Sequence, residues 1–105
     1  MQVPKPKFKR SKPKRGKRGE FSKGVRQQIY ERDAGVCQIC AMQGEEIHHS
    51  FFKSQGGRGV YTNGILLCRH CHTMAHKHFD VAENLRERMR NRYGDQYYMD
   101  EYDKE

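Results

Sequence analysis

Two pairs of cysteines, each pair separated by two residues, constrain the fold of this chain more than any other feature. The pairs are Cys37/Cys40 and Cys68/Cys71, with 27 residues between them. Four thiolates arranged in two such turns supply the closed tetrahedral ligand set of a structural zinc site. A chain of 105 residues has little apolar surface to bury, so a bound metal would contribute directly to folding. We therefore expect one small zinc-stabilised domain.

The same four cysteines could instead form two disulfides. The N-terminal sequence MQVPKPKFKR has no apolar core of the length that a secretory signal needs. No apolar run approaches the ~20 residues of a membrane-spanning helix. Because disulfides persist mainly in oxidising compartments, we expect zinc thiolates, a cytoplasmic location and no membrane association.

Positive charge is concentrated at the start of the chain. Residues 1–20 hold nine Lys and Arg against Glu20, and the whole chain carries a formal charge of +8. Because these residues alternate with Pro and Gly and offer little to bury, we expect a disordered basic arm. The arm could be a solubilising or localisation segment, but we favour sequence-independent contact with nucleic-acid phosphates. Its candidate phosphate-binding residues are Lys5, Lys7, Lys9, Arg10, Lys12, Lys14, Arg15, Lys17 and Arg18.

The rest of the chain divides into a domain over residues 21–94 and an acidic, Tyr-rich tail over residues 95–105. We expect the tail to be loosely packed or to fold back on basic surface. Within the domain the sequence first predicts a helix over 23–33, which Ser22 caps and which ends near Gly35. A strand over 46–50 and a buried strand over 65–67 follow. The sequence then predicts a helix from about His72 and a last helix that begins with an Asp80–Glu83 capping box and ends at Gly94.

Four histidines in the same segment indicate chemistry beyond a structural zinc. His72 and His76 are four residues apart, so on a helix both imidazoles lie on one face and can share a metal ion. His48 and His49 are adjacent, and on a strand their side chains point to opposite sides. One of them can therefore bind a metal while the other acts as a general base, a role that suits imidazole near neutral pH.

The runs EIHHSFFKSQGG and TNGILLCRHCHTMAH resemble the HNH endonuclease family. The resemblance is to the small stand-alone phage and bacterial members with two Cys-x-x-Cys pairs. It covers residues 37–78 closely and extends back through VRQQIYERDAGVCQIC. It implies a small α+β fold, in which a treble-clef-like, zinc-stapled ββα-metal core is flanked by helices.

The resemblance also implies roles for individual residues. His49 would be the general base that activates water, and Asn63 would hold the loop and the base histidine through backbone hydrogen bonds. Glu46 would orient a nearby histidine or arginine. The divalent metal ligands would be His48, His72 and His76, and the structural zinc ligands would be Cys37, Cys40, Cys68 and Cys71.

The chain departs from the usual family pattern in the loop after the histidine pair. Phe52-Lys53-Ser54 stands where many members have Pro-Arg-Ser, Arg58 stands where an acid is common, and Gly64 stands where Leu is usual. None of these changes removes an implied catalytic group. Lys53, Arg58 and Arg69 are candidates to hold the scissile or flanking phosphates.

The function that the resemblance implies is metal-dependent DNA endonuclease activity, leaving 5′-phosphate and 3′-hydroxyl ends, in a bacterial or phage-infected host cell. DNA would be bound largely independently of sequence. Three imidazoles suit Mn²⁺, Ni²⁺ or Zn²⁺ better than Mg²⁺, which prefers oxygen ligands. Two alternatives stay open: a non-catalytic zinc module that binds nucleic acid or a protein, and a nuclease that depends on a phage or host partner in DNA packaging or recombination.

Overall fold

A computed structural model describes residues 15–104 of the chain. Four helices and two strands follow one another as α1 (Arg15–Gly19), α2 (Lys23–Arg32), β1 (Glu46–His49), β2 (Gly64–Leu67), α3 (Arg69–Lys77) and α4 (Phe79–Tyr93). Short 3₁₀ turns lie at Lys53–Gln55 and Tyr61–Asn63. The strands form a two-stranded antiparallel sheet, and α3 follows it directly. The fold is therefore the small α+β arrangement with a ββα unit that the sequence predicted.

Helix α2 leads the chain into the first cysteine pair. Its N-terminus is capped as expected, since the Ser22 hydroxyl accepts a hydrogen bond from the Val25 amide at 3.2 Å. The helix ends at Arg32, and the chain turns through left-handed conformations at Ala34 and Gly35 (φ 57° and 72°). The buried Asp33 carboxylate accepts from the Leu66 amide at 2.9 Å, which ties the end of α2 to β2.

The hairpin places one histidine inside and one at the edge of a cavity. In the register Glu46 pairs with Leu67 and His49 pairs with Gly64. Strand β2 is buried throughout, as its apolar run predicted, whereas in β1 only His48 is buried. A Cβ at Gly64 would overlap Cδ1 of Ile29 in α2, so the leucine that is usual at this position in the resembling family would require the Ile29 side chain to shift.

Two predicted helix starts were wrong. Helix α3 begins at Arg69 rather than near His72, because the Cys68 sulfur caps it by accepting from the Cys71 amide at 3.4 Å. The second cysteine pair is therefore the first turn of the helix. The Asp80–Glu83 capping box is not formed: α4 begins at Phe79, only His78 separates it from α3, and Asp80 already lies in its first turn.

The core lies between the sheet, α3 and α4, and it includes Tyr97 of the tail. Leu85 and Met89 of α4 are buried in it. The tail folds back onto the domain, which was one of the two expectations for it: Tyr97 is 2% exposed, and Tyr98 stacks on Phe51 with ring centroids 4.0 Å apart. At the other end, residues 15–19 are helical rather than disordered. The rest of the predicted arm, residues 1–14, lies outside the described residues.

Helices of membrane-spanning length and apolarity are absent from residues 15–104.

Candidate active site and metal centre

The four cysteines converge on one point between the sheet and α3. Their sulfur atoms lie within 4.8 Å of one another, and none of the four is in a disulfide. Burial opposes ionisation of Cys37, but backbone hydrogen bonds to its sulfur outweigh this and lower its pKa to about 6. Burial raises the pKa of Cys71. A cluster of this kind fits the closed tetrahedral thiolate set of a structural zinc ion, as the spacing predicted.

Three of the predicted histidines form a second cluster. His48 comes from β1, and His72 and His76 come from successive turns of α3. One ring nitrogen of each lies within 4.8 Å of the others. The Nε2 atoms of His72 and His76 are 3.2 Å apart, and the His48 ring lies 5.1 Å and 5.2 Å from their rings.

His48 shows that this cluster suits a cation. The side chain is fully buried, and neither of its ring nitrogens has a hydrogen-bond partner among residues 15–104. Burial, reinforced by the neighbouring His72 and His76, lowers the pKa of His48 to about 3, so the imidazole is neutral and keeps a lone pair. A buried polar atom without a partner is costly, and a divalent ion bound by the lone pair would remove that cost. The three residues present therefore fit a metal ion.

Glu46 orients one of the three imidazoles. His72 donates from Nδ1 to the Glu46 carboxylate at 2.5 Å, which leaves the His72 lone pair on Nε2, the atom that faces His76. The hydrogen bond with His72 lowers the pKa of Glu46. Arg69 lies 3.6 Å from the same carboxylate. A carboxylate behind a metal-binding histidine fixes its tautomer and raises its basicity.

The His49 side chain lies on the opposite face of β1 from His48, as expected for neighbours on a strand. Its Nε2 donates to the backbone carbonyl of Gly19 at 2.6 Å, and the Phe21 ring packs on its face at 4.3 Å. Burial lowers the pKa of His49, and the hydrogen bond to Gly19 only partly offsets this. His49 is therefore neutral at pH 7, with its lone pair on Nδ1, which is the state that a general base needs.

Asn63 fastens the loop that follows His49. The side chain is fully buried; its Oδ1 accepts from the Phe51 amide at 2.8 Å, and its Nδ2 donates to the Arg58 carbonyl at 3.0 Å and to the Phe51 carbonyl at 3.2 Å. The Asn63 carbonyl also accepts from the Ser50 amide at 2.9 Å. These hydrogen bonds hold the loop, as the resemblance implies, but none of them reaches His49, the base histidine that Asn63 was also expected to hold.

A cavity joins the two histidine sets. It has a volume of about 750 Å³ and is lined by His49, His72, His76, Phe52 and Lys53, among others. A phosphate group fits such a space, with His72 and His76 on one side and His49 on another.

Phe52 and Arg86 contribute to this site in a way that the sequence did not reveal. Phe52 stacks on His76 with ring centroids 5.0 Å apart. The Arg86 guanidinium lies 4.7 Å from the Phe52 ring and donates to the Ser50 carbonyl at 3.1 Å. Arg86 lies on α4, far along the sequence from the loop that it holds, and no local pattern marks that contact.

The candidate phosphate-binding residues fall into four groups. Lys53 lines the cavity, and the Arg69 side chain is 75% exposed near Glu46. Arg18 and Arg58 are instead engaged by Asp100 and Asp103 of the tail, and these ion pairs compete with the predicted phosphate contacts. The predicted contacts of Lys5, Lys7, Lys9, Arg10, Lys12 and Lys14 lie outside the described residues, whereas Arg15 and Lys17 lie in α1, where Lys17 is exposed.

Comparison with known proteins agrees with this geometry. Residues 37–78 match the model of the family described as HNH endonuclease. The matched segment contains both cysteine pairs, all three histidines of the second cluster, His49 and Asn63. No curated protein matches the chain.

Proposed function

Because residues 37–78 form an HNH endonuclease domain, we propose that the chain is a metal-dependent DNA endonuclease with His49 as its general base. One observation carries the proposal. His49, which is neutral and lies outside the three-histidine cluster, lines the same cavity as His72 and His76 of that cluster. A structural zinc site requires none of these four imidazoles, whereas phosphodiester hydrolysis uses both a base and a cation site.

The proposed reaction is attack of water on the phosphorus atom of a DNA phosphodiester. His49 takes a proton from the water through Nδ1, because its Nε2–H is already donated to Gly19. The new bond joins the water oxygen to phosphorus as the bond to the 3′ oxygen breaks. The 3′ oxygen takes a proton from solvent, so the products are a 5′-phosphate and a 3′-hydroxyl. The lowered pKa of His49 keeps the base unprotonated below the pH at which an ordinary histidine is half protonated.

His48, His72 and His76 would hold the divalent ion. When bound there, the ion supplies Lewis-acid stabilisation of the charge that develops on the phosphate and leaving-group oxygens. The all-imidazole ligand set favours Mn²⁺, Ni²⁺ or Zn²⁺ over Mg²⁺. Lys53, in the cavity, and Arg69, beside it, are placed to hold neighbouring phosphates.

DNA binding would be largely independent of sequence. The excess of positive charge, +8 for the whole chain, comes from the first 20 residues and favours backbone phosphate contacts over base readout. Affinity should therefore fall steeply as salt rises. A DNA substrate is consistent with a cytoplasmic location in a bacterial or phage-infected cell.

A non-catalytic module that binds nucleic acid or a protein is the second candidate, since the same fold can serve unrelated functions. In a variant of the nuclease proposal, a phage or host protein contacts the acidic, Tyr-rich tail and controls cutting. Both candidates predict DNA or partner binding, but only the nuclease depends on His49.

Cleavage of supercoiled plasmid by the purified full-length chain tests the proposal. The reactions would contain EDTA, Mg²⁺, Mn²⁺, Ni²⁺ or Zn²⁺, and the proteins would be wild type, His49→Ala and His70→Ala. His70 is an exposed histidine of the second cysteine pair and serves as the matched control. We expect metal-dependent nicking by wild type and His70→Ala, and its loss in His49→Ala with zinc content unchanged.

Other results would contradict the proposal in distinct ways. DNA binding without cleavage under any metal would favour the binding module. Equal cleavage by wild type and His49→Ala would show that His49 is not the base.

A further inference from the structure

The two ends of the described chain are joined by a cluster of four charges, here called the clasp. The clasp consists of Arg18, Arg58, Asp100 and Asp103. Arg18 donates two hydrogen bonds to Asp100, both at 2.8 Å, and one to Asp103 at 2.8 Å. Arg58 donates to Asp103 at 2.9 Å and 3.1 Å. These bonds join Arg18 to two residues that lie 82 and 85 positions further along the sequence.

The clasp is shielded enough from water to hold Arg18 in one place. The Arg18 side chain is 9% exposed, and those of Asp100 and Asp103 are 15% and 23% exposed. The hydrogen bond from Arg58, aided by charge attraction to both arginines, holds the pKa of Asp103 well below its usual range. Bidentate pairs between arginine and carboxylate are strong and directional, so the position of Arg18 is specified and not only its charge.

Backbone contacts extend the clasp to the segment beside Arg18. The Gly59 amide donates to the Arg18 carbonyl at 2.8 Å, and the Arg58 amide donates to the Tyr98 carbonyl at 3.0 Å. A Cβ at residue 59 would overlap the Glu20 carbonyl, so glycine is needed for this approach. Arg18 and Glu20 therefore lie directly against the loop of residues 58–59.

These contacts place the residue after Arg18 beside His49. Gly19, the residue after Arg18, accepts the 2.6 Å hydrogen bond from His49 Nε2, and Phe21 covers the face of the same imidazole. A carbonyl can only accept, so the contact places the ring proton on Nε2 and the lone pair on Nδ1. Gly19 and Phe21 thus determine both the tautomer and the orientation of this side chain.

We propose that Arg18 is a positioning residue for the catalytic base, and that the clasp holds the Gly19 carbonyl on His49. This inference rests on the proposed function. Arg18, Gly19, Asp100 and Asp103 all lie outside the 37–78 family segment. Residues on both sides of the family segment therefore complete the site.

The test uses a variant whose charge change should strengthen DNA binding, so that weaker binding cannot explain slower cleavage. Asp100→Ala removes an acidic side chain, so it should favour DNA binding, yet the proposal expects slower cleavage. Asp95→Ala is the matched control, since Asp95 lies in the same tail with its side chain 92% exposed. Gly59→Ala is a second variant that displaces the arm without changing any charge.

In single-turnover plasmid cleavage at saturating metal, we expect Asp100→Ala and Gly59→Ala to lower the maximal rate about 10- to 100-fold, the scale of a misplaced catalytic group. The half-saturating DNA concentration should change less than about threefold, since the reacting groups and not the DNA contacts are disturbed. Asp95→Ala should match the wild type in both quantities. An unchanged maximal rate in both Asp100→Ala and Gly59→Ala would overturn the proposal.

A spectroscopic readout separates this proposal from the proposed function. In ¹⁵N NMR spectra of the zinc-loaded full-length chain, His49 should show the Nε2–H tautomer in the wild type and in Asp95→Ala, and lose that single tautomer in Asp100→Ala. A wild type that shows this tautomer but cleaves no DNA would contradict the nuclease assignment while supporting the contact between His49 and Gly19. Retention of the same tautomer in Asp100→Ala and Gly59→Ala would overturn the clasp's role, whatever the cleavage activity.

Discussion

Replacement of Glu46 by alanine is expected to weaken the divalent metal site about tenfold. The Glu46 carboxylate accepts the 2.5 Å hydrogen bond that leaves the His72 lone pair on Nε2, facing His76. Loss of such a supporting group costs 10- to 100-fold in metal affinity, which corresponds to about 1.4–2.7 kcal/mol. The Glu46 side chain is 39% exposed, so water screens it and the lower end of that range applies.

Isothermal titration of Mn²⁺ into the zinc-loaded chain at pH 7 measures this effect. Glu46→Gln should bind with intermediate affinity, because its amide oxygen can still accept from His72 without the charge. Glu45→Ala is the matched control, since the Glu45 carboxylate accepts from the Arg69 amide and not from an imidazole. Affinity within twofold of the wild type in Glu46→Ala, or an equal loss in Glu45→Ala, would refute the reasoning.

Three further predictions follow from the same structure. Cys40→Ser should lose zinc and unfold, because the free energy of binding a structural zinc ion contributes to the free energy of folding. Zinc analysis and circular dichroism would check this, and a folded, zinc-free variant would contradict it. Asn63→Ala should lower the free energy of unfolding by about 3 kcal/mol, from three lost hydrogen bonds at roughly 1 kcal/mol each; urea unfolding would measure it, and a loss below about 1 kcal/mol would refute it. Because the folded pKa of Asp103 lies below the unfolded value of about 3.9, its stabilising effect should be complete above about pH 5 and should be lost as the pH falls towards that lowered pKa. The difference in unfolding free energy between wild type and Asp103→Asn across pH 3–6 would show this, and a difference that grows as the pH falls would contradict it.

Local spacing made the chemistry of the site predictable from the sequence. The cysteine pairs and the four-residue interval between His72 and His76 keep their meaning wherever the chain folds, because ligand geometry follows from the turns and helix that carry them. The alternation of side chains along a strand likewise separated His48 from His49. These rules involve neighbours in the chain, and the structure groups the four cysteines and the three histidines as the rules predict.

Contacts between distant parts of the chain were beyond local rules. The clasp joins Arg18 to Asp100 across 82 positions, and nothing in either segment alone indicates the other. The start of α3 was misplaced because a cysteine sulfur caps it, a role that usually falls to Ser, Thr, Asp or Asn. The capping box failed because the short link at His78 had already placed Asp80 inside α4.

Cleavage rate as a function of Mn²⁺ concentration, compared among wild type, His49→Ala and His76→Ala, tests the central claim most directly. A metal ligand and a general base affect different features of that curve. His76→Ala should move the midpoint to higher Mn²⁺ concentration, whereas His49→Ala should keep the midpoint and lower the plateau about 10²- to 10⁴-fold. A His49→Ala plateau equal to that of the wild type would contradict the account.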